Sequence, residues 1–330
     1  MRRREFLGFA GAATVGWPAD VFAQQRDRLR SVGVLMGFAE TDEVWQTYLR
    51  VFRERLHDFG WTNGQSVKFE YRFAGENAER TRQAAAELVG TKPDLLFVTT
   101  NPALSALLQE TRTIPIVFTW VSDSVGSGYV RSLAHPGGNV TGFHNFEPVV
   151  GGKWLGVLKQ IAPQVRRAGF VHVPEIAANV AFIRVADSIS KPLGITVSGL
   201  GVRDASDIER VLTDFAREPN GGLVVTPSPL TATKRDVIIA VADKLKLPTV
   251  YSFRFYVDDG GLVSYGIDQM DTVREAASYV DRILRGSSPA DLPVQLPTKF
   301  SLVVNLKTAK RLDLTVPESF LLFADDVIES

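Results

Sequence analysis

Asp94-Leu95-Leu96-Phe97-Val98-Thr99-Thr100-Asn101-Pro102 is the stretch that decides the fold. An unbroken apolar run of this length, bounded by polar residues, reads as a strand covered on both faces, as in parallel sheets. It ends in small hydroxylated residues, and Pro102 then suits the first turn of a helix, where a missing N–H has no partner to lose. After a short helix, Ile114-Pro115-Ile116-Val117-Phe118-Thr119-Trp120 supplies the next buried strand. The unit recurs far downstream. Leu223-Val224-Val225 leads into Thr226-Pro227-Ser228-Pro229, a helix, and then Leu247-Pro248-Thr249-Val250-Tyr251-Ser252-Phe253. Two separate strand–helix–strand series predict two α/β lobes with mostly parallel sheets.

Around the first unit, Ser31 to Met36 predicts a buried first strand, and Val44, Trp45, Tyr48, Val51, Phe52, Leu56 and Phe59 fall at helical spacing before Gly60. Val67 to Phe73 alternates as a strand, and 77–89 reads as helix. From Gly138-Asn139-Val140-Thr141-Gly142 the pattern restarts: helix 149–162, strand 168–173, helix 178–192 and strand 195–200. The next helix is expected to start with a capping box at Ser206-x-x-Glu209. Helix 229–246, strand Leu262-Val263-Ser264, a helix through Val273 to Leu284 closed by Gly286, and a tail strand at 302–304 complete the series.

Composition narrows the function. The 330 residues carry 37 Lys+Arg against 37 Asp+Glu, so no basic footprint for nucleic acid is present. With no Cys, disulfides, thiolate metal sites, catalytic cysteines and a lipid-anchored cysteine are all excluded. Four His (His57, His135, His144, His172) stand at no metal-binding spacing, and no cofactor is expected. Gly126-Ser127-Gly128 lacks the third glycine of a dinucleotide loop, Gly152-Lys153 lacks the rest of a phosphate loop, and no G-x-S-x-G elbow exists. The chain is expected not to be an enzyme.

The start reads as an export label. Arg2-Arg3-Arg4-Glu5-Phe6-Leu7, a short apolar run from Gly8 to Trp17, and Val21-Phe22-Ala23 form a basic, apolar, small-residue series with cleavage expected near Ala23. Arg3-Arg4-x-Phe6-Leu7 resembles the twin-arginine signal, with Arg2 where Ser or Thr is usual. The run is too short to span a bilayer. Residues 1–23 are therefore expected to be a twin-arginine-type signal peptide on a periplasmic protein.

Ligands of open parallel sheets bind beyond the carboxyl ends of strands, where helix N-termini present unpaired N–H groups to an anion. Thr99, Thr100 and Asn101 occupy that place in the first lobe and Ser228 in the second; capping of their own helices is the alternative role for Asn101 and Ser228. Thr119-Trp120 and Ser252-Phe253 end the following strands with a small polar and a large aromatic group, and Phe38 follows the first strand. These rings suit the walls of a small-molecule pocket, although rings at strand ends also seal cores. Asp123 and Asp268 are the charged candidates, Asp268 either for a ligand amine or as a helix cap.

Four blocks together resemble a known family. They are Ala134-His135-Pro136-Gly137-Gly138-Asn139-Val140-Thr141-Gly142, Gly260-Gly261-Leu262-Val263-Ser264-Tyr265-Gly266, Tyr279-Val280-Asp281-Arg282-Ile283-Leu284-Arg285-Gly286, and Leu292 to Phe300 with Val304 to Lys310. They are similar to ABC-transporter substrate-binding proteins whose better-known members bind tryptophan, tyrosine or phenylalanine. The resemblance implies a type I periplasmic-binding-protein fold, with a three-segment hinge near 143–145, 265–268 and 297–300. It implies lobe 1 as 24–143 plus about 267–297, and lobe 2 as 144–266 plus about 298–330. The Gly-Gly-Asn-Val-Thr-Gly block would be a hinge approach. Phe255 and Gln295 replace residues that are often Glu in the family, and His172-Val173-Pro174-Glu175 replaces a more common Asn-Pro. The function implied is capture of a small carboxylate-bearing solute, aromatic or amino-acid in character, by a monomer that serves an inner-membrane ABC permease with its cytoplasmic ATPase. The alternatives are a solute-sensing subunit for a membrane receptor, or an exported hydrolase on the same scaffold.

Overall fold

The computed structural model of the chain describes residues 29–75 and 77–329. The expected signal peptide at 1–23 lies outside the described residues. The first sheet is built from β1 (Arg30–Met36), β2 (Val67–Phe73), β3 (Leu95–Thr99), β4 (Ile116–Val121) and β5 (Val140–His144). All its strands are parallel, in the order β2-β1-β3-β4-β5. Its connecting helices are α1 (Glu43–Asp58), α2 (Ala78–Gly90) and α3 (Asn101–Glu110).

The chain then builds α4 (Val150–Ile161), β6 (Arg167–His172), α5 (Ala177–Ser188), α6 (Ser190–Leu193), β7 (Thr196–Gly201), α7 (Ala205–Phe215) and β8 (Gly221–Val225). It continues through α8 (Pro229–Thr233), α9 (Arg235–Lys244), β9 (Thr249–Tyr251), α10 (Arg254–Asp258), β10 (Val263–Ile267) and α11 (Gln269–Leu284). The last elements are β11 (Phe300–Asn305), α12 (Leu306–Arg311), α13 (Glu318–Leu321) and β12 (Asp326–Ile328). The second sheet runs β12-β11-β10-β9-β8-β6-β7, parallel except where β10 meets β11. The two doubly wound, parallel-dominated lobes match the expected α/β class.

Although α11 follows β10 of the second sheet, it packs on the first, against α1 and strands β3 to β5. The chain thus passes between sheets at 145–149, at Asp268 and between α11 and β11. These passages are tied together: Gln295 exchanges backbone hydrogen bonds of 2.9 Å with Gly142 and His144, and Ile267 pairs with Phe300.

Local chemistry explains the boundaries. Asp42 caps α1 by accepting from Val44 N, and Trp45, Tyr48, Leu49, Phe52 and Leu56 make its buried stripe. The expected box at Ser206 is replaced by Asp204, whose carboxylate accepts from Asp207 N at 2.8 Å, so α7 starts one residue before Ser206. Asp204 lies earlier and offers a charged acceptor, and Ser206 hydrogen-bonds to it instead. The helix expected over 229–246 breaks at Lys234 into α8 and α9. The block expected as a hinge approach supplies β5, which runs directly into the first passage between the sheets. Gly142 is small because a Cβ there would sit 2.2 Å from Phe118 O.

Candidate functional site

The carboxyl ends of β1, β3 and β4 bring the first-lobe candidates together. Thr99 is fully buried, and its hydroxyl accepts from Gly37 N at 2.9 Å, so it pins the turn after β1. Thr100, not Asn101, occupies the cap position of α3, at φ 78°, a backbone region that strains a β-branched residue. Its hydroxyl is buried and has no partner. The Asn101 amide clasps Ser122 twice, donating to its carbonyl at 2.8 Å and accepting from its N–H at 3.0 Å. This locks the loop after β4 to the head of α3.

Trp120 sits at φ 52°, where the β4–β5 register slips between Phe118 and Val121. Such a bulge re-aims a side chain. Its ring meets Trp45 edge-on at 5.1 Å, Tyr48 at 5.2 Å and Phe38 at 6.5 Å, while Phe38 stacks on Trp45 at 3.4 Å. From the second lobe come Phe253, Ser228 and Asn179. Ser228 caps α8 in a reciprocal pair with Thr231, and Asn179 bridges Val173 N and Pro227 O. Asn145 joins from the first passage between lobes. These groups line a narrow, partly open space between the two sheets.

Four atoms of the lining residues are buried and unpartnered: Thr100 Oγ1, Trp45 Nε1, Trp120 Nε1 and Asn145 Oδ1. Each such orphan costs about 1–3 kcal/mol until something binds it. The first turn of α3, with Asn101 and Pro102 at the cavity wall, adds the positive end of a ten-residue helix.

Several candidates fall outside this lining. Thr119 and Ser252 are fully buried behind it with unpartnered hydroxyls. Asp123 accepts from Gly126 N in its own turn. Asp268 caps α11 through Met270 N and Asp271 N and lines a separate cavity beside Phe143 and Tyr279. Conversely, sequence reasoning passed over Trp45, Asn145, Asn179, Ser122 and Ile176. Trp45 was absorbed into the apolar stripe of α1, and Asn145 carried no local signal.

A wider space of about 620 Å³ opens beside the cavity and shares Thr100, Asn101 and Pro102 with it. Arg82, Tyr129 and the Glu175–Arg203 ion pair, at 2.7 Å, stand there. Burial pushes the Tyr129 phenol up. Outside both linings, Arg235 donates to Asp42 across the lobes at 2.9 Å and to Asp259 at 2.6 Å, with its guanidinium 5.7 Å from the Phe255 ring centre. Phe255 in turn meets Trp45 edge-on at 5.9 Å. Burial, then the charges of Asp268, Asp258 and Asp42, push the Tyr48 phenol well above its ordinary range.

Among the described residues, no group of three or more His, Asp or Glu is arranged to hold a metal, and no helix is long and apolar enough to cross a membrane.

The family profile described as "ABC transporter substrate binding protein" matches residues 33–328. The chain belongs to this family. This substrate-binding protein is 27% identical over 270 residues to a tyrosine-binding protein of Clostridioides difficile, spanning 80% of this chain and 75% of that one. A conserved domain protein from Vibrio cholerae superposes with a TM-score of 0.84 at 28% identity, over 91% of this chain and all of that one. An ABC domain from Streptococcus pneumonia in complex with L-Trp also gives 0.84, at 24% identity, over 91% of this chain and all of that one, and so bears on the fold. Together they show the type I periplasmic-binding-protein fold for this substrate-binding protein, and its family is one of solute binders rather than enzymes.

Proposed function

We propose that this protein captures a small carboxylate-bearing solute between its lobes in the periplasm. It hands the solute, chemically unaltered, to an inner-membrane ABC permease driven by a cytoplasmic ATPase. The working unit is a single chain, exported by the twin-arginine-type signal at 1–23. One observation supports this reading: the head of α3, the unpartnered Thr100 hydroxyl and the Trp120 ring line one narrow space between the two sheets. A helix N-terminus with a free hydroxyl suits an anion, and rings on both sides suit a flat body. The relatives described as binding tyrosine and L-Trp hold ligands with a carboxylate and a ring. Phe38, Thr100, Asn101, Trp120, Ser228 and Phe253 are the proposed contacts. Thr99, Thr119 and Ser252 support them from behind, with Asp123 and Asp268 at the ends of neighbouring loops.

The test is calorimetric titration of the intact chain, freed of co-purified solute, with a panel of single-ring and short aliphatic carboxylates. Micromolar binding by a member of the panel, weakened about tenfold or more in both Thr100→Val and Trp120→Leu, is the expected result. Undiminished binding in both variants would refute the site.

A further inference from the structure

None of the residues lining the cavity ionises. Its walls are rings, aliphatic groups, hydroxyls and amides. The carboxylates around it are engaged elsewhere: Asp42 with Val44 N and Arg235, Glu175 with Arg203, Asp259 with Arg235, Asp258 with Arg254, and Asp268 with the head of α11. An ammonium group brought into this space loses its water and finds no counter-charge, which is strongly unfavourable.

The unpartnered atoms of the lining residues say what is favoured instead. Trp45 Nε1 and Trp120 Nε1 only donate, and the Thr100 hydroxyl has one proton to give. The positive end of α3 adds to this donor excess. The bare acceptors among these lining atoms are Asn145 Oδ1 and the lone pairs of that same Thr100 hydroxyl, against three donors. A ligand that fits this inventory offers several acceptors, a flat apolar body, at most one hydroxyl to donate, and no amine.

Resting on the carboxylate reading above, we infer that the cavity selects amine-free aromatic monocarboxylates, with or without one ring hydroxyl, and rejects the corresponding α-amino acids. The ring lies among Trp45, Trp120 and Phe253, the carboxylate faces Thr100 and the head of α3, and a hydroxyl finds Asn145.

The experiment compares matched triples on the intact chain by calorimetry: 3-phenylpropanoate, phenylalanine and 3-phenylpropanamide, then the same set with a 4-hydroxyl on the ring. The acid is expected to bind about a hundredfold or more tighter than the amino acid. Asn145→Asp, which supplies a carboxylate, is expected to narrow that ratio at least tenfold; its fold is checked by circular dichroism, and the wild-type series decides alone if it fails to fold. An amino acid that binds as tightly as its acid overturns the inference and leaves the carboxylate reading intact. Equal affinity for acid and amide, with the amino acid still excluded, sinks the carboxylate reading and leaves the exclusion of amines standing. Binding by none of the three sinks both.

Discussion

Arg235 Nη1 lies 2.9 Å from Asp42 Oδ2, joining the head of α9 in one lobe to the cap of α1 in the other. Both side chains are more than four-fifths buried, at 17% and 11% exposure, so the pair is partly shielded from water. It clips one lobe to the other. Arg235→Ala leaves the Asp42 cap in place and removes the clip. Its expected effect is a more open ligand-free population, seen as a larger radius of gyration in X-ray scattering, with ligand affinity falling about tenfold. An unchanged scattering curve and an unchanged affinity would remove the clip from the closure equilibrium.

Thr99 and Thr100 are adjacent, both buried, and should respond oppositely. Thr99→Val strips Gly37 N of its acceptor and is expected to lower stability by about 1–3 kcal/mol. Thr100→Val removes a hydroxyl with no partner and is expected to leave stability equal or raised while weakening ligand binding. Thermal and urea unfolding of the two variants without ligand checks the pair. Equal destabilisation by both would show that the Thr100 hydroxyl already has a structural partner.

His172, at the end of β6, is held below the ordinary imidazole range by burial, against the opposing pull of the Phe170 and Leu200 carbonyls and of Glu175, while nearby Arg203 adds a smaller push downward. With its folded value depressed, the unfolded chain takes up the proton first. Stability from the neutral ring is complete above about pH 6.5, the unfolded value, and is lost as the pH falls through the folded one. His172→Asn is therefore expected to flatten the decline in unfolding free energy between pH 7.5 and pH 5. A variant whose decline parallels the wild type would exonerate this ring.

Much of the scaffold is legible in the letters because burial writes itself as apolar runs. Leu95 to Val98 and Leu223 to Val225 admit little besides covered strands, and the Pro after each fixes where a helix can begin. The cleft is less legible. Whether a threonine hydroxyl is spent on the backbone or left bare depends on a few tens of degrees at one residue, so Thr99 and Thr100 look alike until the φ of 78° at Thr100 is seen. Trp45 satisfied helical periodicity so well that nothing hinted at its bare indole N–H. Asp268 and Asp204 followed the commonest fate of aspartate before a helix, which is to cap it. Asn145 lies in a stretch with no period at all, where local pattern says nothing.

Gln295, joined by its backbone to Gly142 and His144, and Phe300, joined to Ile267, make the passages between lobes a laced strip rather than separate tethers. A strip stitched edge to edge bends across its width and resists shear and twist. The posture of one half relative to the other then reduces to something near a single angle. On the function proposed above, a permease would have one geometric variable to interpret, and cargo of any shape would be reported to it in the same coordinate.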